Sequence, residues 1–77
     1  MGSLNVHVTH NSGKGSKGIR VLGETSYGMT KTVYTDTNGH AFLNWTSNTR
    51  YLKNIYISGK GYKGRFQSGG TYSFPAG

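Results

Sequence analysis

Glycine sets the strongest limit on what this chain can fold into. Thirteen of the 77 residues are glycine, against two alanines and four leucines. Each glycine inside a helix costs about 1 kcal/mol relative to alanine. Helix-favouring stretches are therefore scarce, and the segments between the glycines carry strand periodicity. Residues 4–10 alternate apolar and polar side chains, the period of a half-buried strand. Residues 11–16 are turn chemistry: Asn and Ser bond to nearby backbone, and Gly accepts positive φ. Residues 18–22 read as a second strand, with Ile19 and Val21 on one face. Residues 29–36, rich in Thr, Val and Tyr, read as a third.

The run Asp36-Thr37-Asn38-Gly39 predicts a tight hairpin turn. The chain returns through residues 40–45, where Ala41, Leu43 and Trp45 share a face and Phe42 and Asn44 point the other way. A polar loop spans 46–50. Residues 52–58 form a further strand with Ile55 and Ile57 inward and Tyr56 outward. Gly59-Lys60-Gly61 predicts a second hairpin into residues 62–67. Ser68-Gly69-Gly70 turns into a last strand at 71–74, ended by Pro75, which has no N–H to donate. About seven short strands with evenly spaced turns predict an all-β chain, a small antiparallel sandwich spanning residues 1–77 as a single domain. Met1-Gly2-Ser3 lacks a signal-peptide core and reads as a native start or an expression remnant.

The predicted core is Leu4, Val6, Val8, Ile19, Val21, Val33, Leu43, Trp45, Leu52, Ile55, Ile57, Phe66 and Phe74. Charge and glycine favour disorder. Ten aromatic residues and the β-branched segments oppose it. A core this thin invites self-association, so a homo-oligomer through an edge strand is a candidate.

The backbone motifs resemble the transthyretin-like, carboxypeptidase regulatory-like group of bacterial Ig-like domains. Val6-His7-Val8 stands where that group has its first strand, and the 13–21 segment resembles its glycine-rich turn and second strand. Residues 35–43 resemble its Thr-Asp-x-x-Gly hairpin, and 55–62 its late strand with a Gly-Tyr turn. Ser16 and Lys17 depart from the Pro and Val usual after the first turn. The resemblance implies an Ig-like sandwich and a non-catalytic binding or adhesion module, in an extracellular or cell-surface setting. It carries over no functional residue.

Nine Lys/Arg against two Asp/Glu leave a formal charge of +7. Two acids, Glu24 and Asp36, are too few for most acid–base chemistry, and the hairpin turn already employs Asp36. Without cysteine there is no disulfide framework and no thiolate zinc site. His7 and His10 face opposite sides of a strand, and His40 follows its turn alone. No catalytic residue, metal site or cofactor is therefore assigned. No apolar run approaches the roughly 18 residues of a membrane span.

Positive charge attracts polyanions, either nucleic acid or acidic polysaccharide. The candidate contacts are Lys14, Lys17 and Arg20 around the first turn, and Lys60, Tyr62, Lys63 and Arg65 around the second hairpin. Tyr27 and Tyr56 are further stacking candidates. The competing explanation is solubility and the blunting of strand edges. Residues 60–66 fail the RNA-recognition RNP1 pattern, because Lys63 and Gly64 stand where a small residue and an aromatic are needed. Residues 13–18 lack the Gly-Lys-Ser/Thr ending of a phosphate loop. Trp45 is expected as the core plug between the sheets, and an exposed Phe42 would mark a self-association face with Tyr34 or Tyr56 beside it. The leading expectation is a non-enzymatic module that offers loops and an edge strand to a protein or glycan. Polyanion binding through a basic loop patch is the alternative.

Overall fold

The structure, a computed structural model, describes residues 2–10 and 14–76. Eight strands follow one another with no helix among the described residues: β1 (Gly2–Thr9), β2 (Arg20–Thr25), β3 (Gly28–Met29), β4 (Val33–Tyr34), β5 (His40–Trp45), β6 (Tyr51–Ile57), β7 (Lys60–Gln67) and β8 (Thr71–Pro75). They form two facing sheets. The three-stranded sheet has the order β5-β1-β8. The five-stranded sheet runs β3-β2-β6-β7, with β4 also paired to β2. The expected all-β sandwich is present. Residues 11–13 of the first expected turn lie outside the described residues.

The alternation read from the sequence fills the space between the sheets. Leu4, Val6 and Val8 of β1 and Ala41, Leu43 and Trp45 of β5 face Val21 of β2 and Leu52, Ile55 and Ile57 of β6. Phe74 closes the layer from β8, while Ile19, Val33 and Phe66 are only partly buried around it. Leu52 and Ile55 are three apart, yet both point inward. A bulge between Leu52 and Asn54 resets the alternation. The Trp45 indole N–H reaches Thr49 O at 2.8 Å, so the plug also ties down the polar loop.

Five expectations change. The third strand breaks into β3 and β4. Thr30 turns inward between them, its N–H donating to Gly23 O and its hydroxyl accepting the Gly23 N–H. The turn at Asp36–Gly39 forms, but its flanking strands then part, since β4 pairs with β2 and β5 with β1. The sandwich is not wholly antiparallel, because β1 and β8 run parallel. The turn at 68–70 carries the chain from one sheet to the other and aims β8 along β1. Pro75 does not end the contact with β1, for Ala76 N–H still donates to Thr9 O. Gly2 and Ser3, read as a native start or a remnant, lie in β1 opposite Trp45 and Asn44.

The second hairpin turns at Ser58-Gly59, one residue earlier than expected. Both residues have positive φ, the geometry of a two-residue hairpin loop, and Ile57 faces Lys60 across it.

Candidate functional site

The two sheets divide the charge. β1, β5 and β8 contain no Lys, Arg, Asp or Glu. Arg20, Glu24, Lys53, Lys60, Lys63 and Arg65 all lie on strands of the five-stranded sheet. The remaining cations lie on loops. The molecule therefore has one uncharged outer face and one basic outer face.

On the basic face, register places Arg20 opposite Tyr34, Tyr56 opposite Leu22 and Gly61, and Lys63 opposite Asn54. The Tyr56 ring lies against Gly61, where a Cβ would come within 3.0 Å of it. The Arg65 guanidinium stacks over the Tyr51 ring, 4.7 Å from its centroid. Glu24 is the one acid on this face. It accepts the Tyr56 hydroxyl at 2.9 Å and the Asn54 amide at 2.8 Å, with Lys53 Nζ 4.0 Å away. The Tyr56 hydrogen bond, followed by that of Asn54, holds the Glu24 carboxyl below its ordinary value. The same bond raises the Tyr56 phenol. Asp36 is also lowered, chiefly by the backbone N–H of His40. Both acids are thus engaged within the fold.

The sequence-derived basic set is only partly gathered. Lys14, Lys17, Arg20 and Lys60 lie at the end where β1 finishes and β2 and β7 begin. Arg20 O accepts the Ser58 N–H, which joins the first group to the second hairpin. Lys63 and Arg65 lie along β7 instead. Tyr62 points inward, its ring 4.9 Å from Phe74 and beneath the Lys60 ammonium. It belongs to the rim of the core and not to the outer face. The sequence reading missed Lys53, Tyr51 and Tyr34 as face-mates, because only strand pairing brings them together. Tyr27 is well exposed at the β2–β3 turn, away from the set.

The uncharged face carries Phe42, 63 % exposed, opposite Asn5. Tyr34 and Tyr56 lie on the other sheet and not beside it. His40 is not alone. It stands opposite His7, and the rings stack at 4.3 Å with planes 10° apart. Asn5 hydrogen-bonds His40 Nδ1, and His7 Nε2 contacts Asn38 O. This pair is where it is because His7–His40 is a non-hydrogen-bonded pair, the kind that brings side chains closest. No group of three His, Cys, Asp or Glu gathers among the described residues.

The edges of the sheets differ as well. Val8 donates to Gly39 O, which fixes the phase of the β1–β5 ladder. Ala41, Leu43 and Trp45 then bond to β1, while the backbone of Phe42 and Asn44 faces outward. Among the described residues nothing pairs with that outward edge. His40 at its start is occupied, exchanging backbone and side-chain bonds with Asp36. The other long edge, β7, presents Lys60, Lys63 and Arg65. A shallow cleft of about 260 Å³ beside β5 is lined by Asn5, Phe42, Gly70 and Thr71. A larger open one of about 740 Å³ adjoins it across Ser3, with Asn44 and Trp45 in its lining and Lys31 as the one charged group among the described residues that line it.

No protein-family model matches the chain, and no curated protein sequence matches it. No helix among the described residues is long and apolar enough to cross a membrane.

Proposed function

We propose that the chain is a non-enzymatic binding or assembly module that takes an extended strand of a protein partner along β5. One observation carries this reading: at Phe42 and Asn44 the outward backbone N–H and C=O groups have no partner among the described residues, on an edge strand without any charge. Natural proteins guard such edges with Lys, Pro or a bulge. β7 has its cations and β8 its proline, whereas β5 has neither. The exposed Phe42 ring gives an added strand an apolar contact. The engagement of Glu24 and Asp36 within the fold supports a role without acid–base chemistry. The resemblance of the turns to the transthyretin-like group implies such a role.

The test is selection of a random peptide library on the wild type, followed by binding to Phe42→Lys and Asn44→Pro. Proline at 44 removes an N–H that faces away from β1, so the β1–β5 ladder keeps its bonds. Enriched peptides that alternate apolar residues and lose at least about 10-fold affinity to both variants support the reading. Failure to enrich any peptide, or equal binding to Asn44→Pro, overturns it.

Phe42 also favours a second reading, a neutral glycan. Its ring and the polar Asn5 and Thr71 line one cleft, an aromatic platform with hydrogen-bonding rims. A glycan array in which Phe42→Ala abolishes every signal and Asn44→Pro keeps it would select this reading.

A further inference from the structure

The basic outer face lies on the opposite side of the sandwich from β5 and has no role in the strand-binding reading. It holds four cations, Arg20, Lys53, Lys63 and Arg65, against the single Glu24. Glu24 is surrounded by Tyr56, Asn54 and Lys53. Among all nine cations only Lys53 has a carboxylate partner in the described residues. The positive charge is therefore not spent on internal ion pairs.

Its arrangement is linear. Lys63 and Arg65 are two apart on one strand, so they project on one side about 7 Å apart. β7 as a whole spans roughly 26 Å at about 3.3 Å per residue. Arg20 extends the row across the sheet at the β2 end. Three tyrosines lie among the cations: Tyr34 opposite Arg20 and 64 % exposed, Tyr56 packed against Gly61, and Tyr51 beneath Arg65. A row of cations tracks phosphates, and the exposed Tyr34 ring accepts an unpaired base, while Tyr51 holds Arg65 in place.

We propose that this face binds an extended single-stranded nucleic acid, running diagonally from Tyr34 and Arg20 past Tyr56 to Lys63 and Arg65. Charge complementarity selects a polyanion. The exposed Tyr34 ring favours nucleic acid over an acidic polysaccharide, because every base offers a π-face, whereas the faces of a sulfated sugar are crowded with charged groups. Single strands are favoured over duplex because paired bases do not expose their faces.

Fluorescence anisotropy of a fluorescein-labelled oligothymidylate tests the proposal on the intact chain. Binding should weaken steeply with salt, the slope reflecting about 0.7 per phosphate neutralised. Lys63→Gln with Arg65→Gln should lower affinity at least about 10-fold and flatten that slope by about 1.4. The Tyr34 side chain makes no hydrogen bond among the described residues, so Tyr34→Ala should cost about 5-fold or more through lost stacking. Phe42→Ser, on the far face and without a change of charge, should leave binding unchanged, which separates this proposal from the strand-binding one. Absence of binding at low salt overturns the proposal, as does binding indifferent to the Lys63/Arg65 pair. Equally tight binding of heparin or duplex DNA, with no effect of Tyr34→Ala, assigns the face to a general polyanion and overturns the nucleic-acid assignment.

Discussion

Asp36 and His40 close their turn reciprocally. The Asp36 N–H donates to His40 O at 2.9 Å, and the His40 N–H donates to Asp36 Oδ1 at 3.0 Å. The same oxygen accepts the Asn38 N–H at 2.9 Å. One carboxylate thus holds both ends of the turn that passes the chain from the five-stranded sheet to the three-stranded one.

The first prediction is acid sensitivity. Folding lowers the Asp36 carboxyl through the His40 backbone N–H, and lowers Glu24 through the Tyr56 and Asn54 bonds. A carboxyl lowered by folding stabilises the fold fully above its unfolded pKa and loses that contribution as pH falls through the folded value. Urea midpoints should be flat near neutrality and fall below about pH 4. Asp36→Asn and Glu24→Gln should each flatten the acid limb, and an unchanged limb in both would contradict this account.

At Gly39 the backbone has φ of +83°, and an added Cβ would lie 2.3 Å from Val8 O. Neither the conformation nor the space suits a side chain. Gly39→Ala should therefore destabilise the fold by at least about 2 kcal/mol. Chemical denaturation measures it.

Leu43 and Phe42 are neighbours with opposite fates. Leu43 is fully buried and Phe42 largely exposed. Leu43→Ala should cost about 2–5 kcal/mol, whereas Phe42→Ala should stay within about 0.5 kcal/mol. Similar losses at the two positions would show that the facing of β5 is wrong.

Trp45 anchors the 46–50 loop through its indole N–H to Thr49 O. Trp45→Phe strands that carbonyl and should cost about 1–3 kcal/mol. Faster amide exchange confined to the 46–50 loop would locate the effect. Unchanged stability would mean that water replaces the bond.

Strand positions and inward faces were legible because they rest on local chemistry. The alternation at Leu4, Val6 and Val8, and at Ala41, Leu43 and Trp45, needs no knowledge of partners to predict which side is apolar. Asp36 through Gly39 likewise announced a turn by their own side-chain and φ preferences. The bulge near Lys53 was not legible, and neither was the break at Thr30. Each depends on what the facing strand requires.

The candidate surfaces followed the same division. Exposure of Phe42 came from parity along one strand. The stack of His7 on His40, the seat of Arg65 over Tyr51, and the inward turn of Tyr62 came from register between separate segments of the chain. The positions of the cations beside glycine-rich turns suggested loop tips, but strand pairing laid Lys63 and Arg65 along an outer face.

The sequence by itself determined an all-β chain, its turn at Asp36–Gly39 and most of its core, since side-chain periodicity and turn preference act over a few residues. Only the tertiary structure decided which strands share a sheet, which edge is left bare and how charge divides between the faces. Those follow from hydrogen-bond register and sheet packing, which join residues that the sequence keeps apart.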